Sequence, residues 1–267
     1  MSTRALAWAR IALGLVFSLR HTSLVSQLPG IHLPPARALA GWPEGAGEHR
    51  IAVFPWLELP NGVVSALCVV RTVAGLCFAL GAFTRPAGIV AVAAAYAIVA
   101  QDPIGFLFTT HIMYLGILVL ALGDAGSTLA LRPVPARSPR SSVYVARAFV
   151  ASVYFWSAIP KLRGAWLSGS VLRAYLDLGY GRGALGSFLL GAHARESAML
   201  TVAVEASLPV LLLVPRTRLA GVLLACMMHA IFELTVRPDV LGWVMVSLLL
   251  VFLEPERLSR RGSRAGP

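Results

Sequence analysis

The sequence predicts an all-α protein: a polytopic transmembrane helical bundle of about eight spans, with N- and C-termini cytoplasmic and one extracytoplasmic interfacial helix. Apolar residues make up 57% of the 267-residue chain and charged ones only 13%, about half of the roughly 25% usual in a soluble domain. Several apolar stretches approach the roughly 20 residues that cross a hydrocarbon core about 30 Å thick. The arginines behind the formal charge of +11 cluster in the segments between those stretches and at the C-terminus. Placed there they set topology, so no nucleic-acid partner is expected.

In chain order the expected spans are 5–25, 62–83, 86–101, 105–123, 142–162, 197–215, 218–236 and 239–253. The first resembles the apolar part of a signal peptide, but Arg10 interrupts it and no cleavage pattern follows promptly. The third and eighth are short, and only Asp102-Pro103-Ile104, a tight hairpin signal, separates the third from the fourth, so a seven-span arrangement stays open. With the N-terminus inside, 11 arginines fall in the cytoplasmic segments against 8 basic residues spread over longer outer ones, the asymmetry of the positive-inside rule. Residues 1–255 form one transmembrane domain on this reading, and 256–267 a basic cytoplasmic tail.

Between the spans, residues 26–61 are rich in Pro and Gly and carry Trp42, Phe54 and Trp56, suiting a loop at headgroup level. Residues 165–178 place Leu167, Val171, Tyr175 and Leu178 on one face, with Ser170, Arg173 and Asp177 opposite, which predicts the interfacial helix. The loop 124–141, with three prolines among arginines, reads as a solvated cytoplasmic connector. Cys68, Cys77 and Cys226 lie in apolar runs without CxxC spacing, so neither a disulfide framework nor a metal site is implied.

Each ionisable side chain inside a span costs about 2.5–3.5 kcal/mol on insertion scales and is therefore a functional candidate. The set is Arg10, Arg20, Arg71, His111, Arg147, Lys161, Glu205, His229 and Glu233. The expected topology places most of them in the outer half, where they would converge on one cavity open to the outside. His229 and Glu233 stand four apart on one helix face, where the carboxylate would orient the imidazole or simply close a helix contact. Glu205 is expected to neutralise Arg71 or Arg147, because an unpaired buried charge is the costlier state.

Lys161 is the most informative position, since every other one of the 23 basic residues is an arginine. A lysine amine, unlike a guanidinium, can lose its proton when desolvated and act as a base. The competing reading is a snorkelling anchor beside Arg163 and Trp166. Arg147, Tyr154 and Lys161 recur every seven residues and share one side of the fifth span, with Ser157 adjacent. Pro160 cannot donate to the carbonyl four residues back and is expected to end or kink that helix.

The run Tyr154-Phe155-Trp156-Ser157-Ala158-Ile159-Pro160-Lys161-Leu162, followed by Trp166 and Gly169, resembles the segment of the vitamin K-dependent γ-carboxylase family that carries its catalytic lysine. Thr109-Thr110-His111-Ile112-Met113-Tyr114-Leu115-Gly116 resembles that family's histidine segment, and the stretch from Glu205 to Arg218 with His229 beyond it is also similar. Together these point to the HTTM (horizontally transferred transmembrane) family, which shares the bundle. In the carboxylase a lysine deprotonates a reduced quinone, O2 attacks, and the strong base so formed removes a glutamate proton before CO2 adds.

The resemblance implies Lys161 as general base and His111 as its hydrogen-bonding companion. Tyr154, Ser157, Trp166, Glu205, His229 and Glu233 are then candidate ligand-binding residues. It also implies a reduced quinone of vitamin K or menaquinol type, with O2 and CO2 as co-reactants and no metal, and membrane lipids as surroundings. The chain ends soon after its last expected span, which leaves room for a separate soluble extracytoplasmic partner. Two other readings stay open: a non-enzymatic membrane subunit or small-ligand carrier, and a DoxX-like redox membrane protein. The Arg- and Ala-rich composition predicts a bacterial plasma (inner) membrane.

Overall fold

The computed structural model describes residues 3–19, 59–100, 108–236 and 240–253, and among them every regular element is a helix. The helices are α1 (Arg4–Leu19), α2 (Asn61–Leu80), α3 (Thr84–Val99), α4 (Phe108–Leu122), α5 (Pro139–Lys161), α6 (Gly164–Leu167), α7 (Ser170–Asp177), α8 (Gly183–Ser187), α9 (Ala194–Leu213), α10 (Arg218–Thr235) and α11 (Leu241–Leu249). A π-helical turn, Phe188–Ala192, extends α8, and a 3-10 turn, Leu250–Phe252, extends α11. Among the described residues each of the eight expected spans overlaps a helix. Four, at Gly62–Leu80, Pro139–Lys161, Ala194–Leu213 and Arg218–Thr235, are long and apolar enough to cross a membrane. Arg20, the loop 26–58 and the hairpin at Asp102-Pro103-Ile104 lie outside the described residues.

The chain divides into two compact units, Leu6–Ser142 and Val143 onward, the latter with the first five residues. In the first unit small residues let helices meet backbone to side chain: a Cβ on Gly14 would fall 2.7 Å from that of Ala79, and one on Gly88 2.5 Å from that of Ala121. Gly81 ends α2 in the left-handed conformation, φ 73°, and the amides of Gly81 and Ala82 bond back to Phe78 and Cys77, closing carbonyls the helix leaves open.

Arg10 is fully buried in α1 and spends its charge on backbone oxygens. It donates to the carbonyls of Ala79 at 3.3 Å, Ala125 at 2.7 Å and Thr128 at 3.4 Å, and to that of Leu129. Those acceptors lie at the end of α2 and in the loop after α4, where carbonyl dipoles favour a cation. Asp124 anchors the same loop, accepting from the Arg137 and Ser138 amides at 3.0 and 2.8 Å and from the Ser142 hydroxyl at 3.1 Å. Burial pushes its carboxyl up, but the two amides, Ser142 and nearby Arg85 outweigh that and hold it below the ordinary carboxylate range. Of the expected connector 124–141, residues 131–138 are exposed, whereas Asp124, Ala125 and Gly126 are buried.

In the second unit α9 packs on α10 and α10 on α11. The expected interfacial helix over 165–178 is two helices, α6 and α7, broken at Gly169, φ 76°. A Cβ there would fall 2.5 Å from the Ala194 carbonyl carbon. The break separates Leu167 from Val171, Tyr175 and Leu178, which stay on the second helix and at its end. Leu172 packs in a cluster with Leu190, Ala194 and Ala198, flanked by Trp166, Leu176 and Val236, while Tyr175 and Leu178 of the predicted apolar face are exposed. Helix α8 escapes sequence reading, since Gly183-Ala184-Leu185-Gly186-Ser187 has no helical apolar period. Large apolar side chains such as Trp156, Leu200, Val210 and Leu223 stand fully outward, where a bilayer, not water, is the fitting surroundings.

Candidate functional site

The second unit brings together six of the eight candidate residues around α5: Tyr154, Ser157, Lys161, Trp166, Glu205 and His229. Tyr154, Ser157 and Lys161 line one stripe of this helix because three- and four-residue steps return to the same face; Tyr154 and, two turns earlier, Arg147 are each 2% exposed. The helix continues through Pro160 and ends at Lys161. Glu205 reaches the stripe from α9, which carries its own proline, Pro209, four residues on. Each proline withholds the amide that would bond the carbonyl of Trp156 or Glu205, loosening the backbone on both sides of the site.

The Lys161 amine donates to both Glu205 carboxylate oxygens at 2.5 Å and to the Ser157 hydroxyl at 2.9 Å. Ser157 in turn donates to Glu205 Oε2 at 3.2 Å, closing a three-membered ring of hydrogen bonds. The Lys161 and Glu205 side chains are 16% and 5% exposed. The amine also lies 5.4 Å from the centre of the Trp166 ring, within cation–π range. This geometry corrects the expectation for Glu205, whose partner is Lys161 rather than Arg71 or Arg147. Arg147 donates to the Val251 carbonyl at 3.0 Å, and Arg71, in the first unit, donates to that of Phe17 at 3.1 Å. A lysine a helix turn from Ser157 reaches the carboxylate directly; sequence spacing carries no information about such a contact 44 positions away.

One turn before Ser157, the Tyr154 hydroxyl meets His229 Nε2 at 2.9 Å. His229 comes from α10 and is 3% exposed, with its second nitrogen, Nδ1, buried and without a partner among the described residues. The expected His229–Glu233 pairing is therefore corrected. Glu233 instead sets its carboxylate against α11, where an added Cβ on Gly242 would fall 2.5 Å from Oε1.

His111 belongs to the first unit. Its Nδ1 lies 3.2 Å from the hydroxyl of Tyr96, the two rings are stacked with centres 5.7 Å apart, and Tyr114 meets Tyr96 edge-on at 5.0 Å. Sequence reasoning passed over Tyr96. The available signal was a lone hydroxyl-bearing ring in the otherwise aliphatic run Ala93-Ala94-Ala95-Tyr96-Ala97. An open recess of about 440 Å³ in the second unit is lined by Leu167, Ser168, Arg173 and Arg195, none of them a candidate.

Apolar helices of spanning length, outward-facing lipophilic side chains and an amine–carboxylate pair set among them define a helical membrane protein with an ionisable site. The HTTM domain family model matches residues 3–256, nearly the whole chain. The chain belongs to that family. No curated protein and no solved structure matches it.

Proposed function

We propose that this protein is a membrane enzyme that takes a proton from a lipid-soluble reduced quinone, with Lys161 as the group that receives it. The observation that carries the reading is the amine of Lys161, largely withdrawn from solvent and held by Glu205 and Ser157. The pair shares one labile proton at rest and holds two after the O–H bond of the substrate breaks. Glu205 thus provides the lone pair that balances the transfer, while Lys161 relays the proton. Trp166 bounds the site beside the amine, and the buried Tyr154–His229 pair supplies polar contact deeper along α5. A reduced quinone of vitamin K or menaquinol type would bring the acidic hydroxyl and the O2 reactivity. CO2 as co-substrate, His111 as a hydrogen-bonding companion and a soluble extracytoplasmic partner rest on resemblance to the carboxylase family.

The test is purification with native lipids, mass spectrometry for a bound quinone and measurement of quinone-dependent O2 consumption, repeated with Lys161→Ala and Lys161→Arg. Loss in both variants is expected, since a guanidinium cannot relay a proton. Equal consumption in all three proteins removes the base assignment. A second reading, a non-enzymatic membrane subunit, is favoured by the same salt bridge, which would satisfy Lys161 for packing alone. On that reading no bound quinone is found and only thermal stability changes.

A further inference from the structure

We infer that His229, fixed by Tyr154 with its proton on Nδ1, is the hydrogen-bond donor for the substrate oxygen that gives up its proton to the Lys161–Glu205 pair; this rests on the proposed quinone-linked reading.

A neutral imidazole has one N–H donor and one acceptor nitrogen. If the Tyr154 hydroxyl accepted from Nε2–H, its own proton would lack an acceptor and the Nδ1 lone pair would also stay empty, leaving two buried polar groups unmet. If Tyr154 donates to Nε2, the phenol is satisfied and only one group remains, the N–H on Nδ1. Buried polar groups are rarely left unmet, so the second arrangement prevails and places an unspent donor in the interior of the unit.

Its position gives that donor a use. Tyr154 and Lys161 occupy the same stripe of α5, and the Lys161 amine turns back to Ser157, one helical turn from the Tyr154 that holds His229. A hydroxyl that loses its proton to the pair keeps the electron pair of the broken O–H bond. The negative oxygen then needs a donor whose direction is set before the transfer, because a preformed dipole in a dry site costs no reorganisation. His229 meets both conditions: its ring is pinned at Nε2, and Phe232 meets it edge-on at 6.1 Å.

Two measurements test this. The first is the tautomer, read by 15N spectroscopy of histidine-labelled protein in lipid nanodiscs, with the His229 signal among the six histidines assigned by its loss in His229→Gln. The expected signature is Nδ1–H in the wild type and a mixture of tautomers in Tyr154→Phe. The second is binding of 2-hydroxy-1,4-naphthoquinone, which carries a charged quinone oxygen at neutral pH. An asparagine amide can occupy the place of Nδ1, and a glutamine amide that of Nε2. Affinity should therefore fall about 10-fold or more in His229→Gln and stay within about 3-fold in His229→Asn, the size expected for one hydrogen bond to a charged acceptor. A wild-type ring protonated on Nε2 overturns the inference. So does binding that His229→Gln leaves unchanged, or that both variants weaken equally. Absence of binding to the wild type removes the quinone-linked reading and the donor's role together.

Discussion

The two units use the same side chains for different ends. Each holds a tyrosine–histidine pair, Tyr96–His111 in the first and Tyr154–His229 in the second. Each also buries an arginine whose guanidinium bonds backbone carbonyls, Arg10 and Arg147. Only the second adds an amine that faces a carboxylate. A guanidinium on carbonyls is charged at all working pH and acts as a fixed brace. An amine on a carboxylate can exchange its proton without either partner leaving the site. On the proposed reading the first unit is framework, and the second holds the exchangeable pair.

The sharpest way to break that contrast is to remove the exchangeable pair. Glu205→Gln should lower quinone-dependent turnover by about 10²–10⁴-fold, the contribution of a positioned proton acceptor, while Arg10→Met should leave turnover per folded molecule within a few-fold. Similar losses from both would dissolve the distinction. Next in size is stability. Glu205→Leu strands the Lys161 charge and should cost about 3 kcal/mol, whereas Glu205→Leu with Lys161→Met should recover most of that, because replacing both partners of a buried pair is often neutral. Thermal unfolding in a single detergent would read the difference, and a double variant no more stable than the single one argues against a pair acting as a unit.

Smaller effects should appear in the first unit. Asp124→Asn removes charge-assisted hydrogen bonds to the start of α5 and should cost about 1–3 kcal/mol near neutral pH. Because the folded carboxyl is held below its ordinary value of 3.8, the wild-type advantage should be full above that value and vanish as pH falls through the lower folded one. An advantage that persists at the acid end would mean the carboxylate is not its source. Smallest of all, Tyr96→Phe deletes one partly buried hydrogen bond and should cost about 1 kcal/mol or less, checked by the same melting assay.

Much of this was legible in the sequence because apolar length and composition decide where helices form in such a chain. Among the described residues all eight expected spans overlap helices, and the seven-residue recurrence placed Arg147, Tyr154 and Lys161 on one buried stripe. Lys161 stands out by residue choice, one lysine among arginines everywhere else, and by a segment that resembles that of the carboxylase lysine. What stayed hidden depends on contacts between distant segments. The spacing of His229 and Glu233 suggested a pair along one helix, yet Tyr154, 75 positions away, takes the imidazole. Likewise the sequence predicts one continuous interfacial helix over 165–178, and a single left-handed glycine, Gly169, divides it in two.

Arg10 has a consequence for how the molecule is made. The carbonyls it holds lie 69 to 119 residues further along the chain, so α1 leaves the ribosome with a guanidinium whose acceptors have not yet been synthesised. Until residues 125–129 emerge, that helix carries a cation with at most the Ala79 carbonyl to meet it, a state a bilayer resists. A chain truncated before residue 125 would leave Arg10 without three of its four carbonyl acceptors.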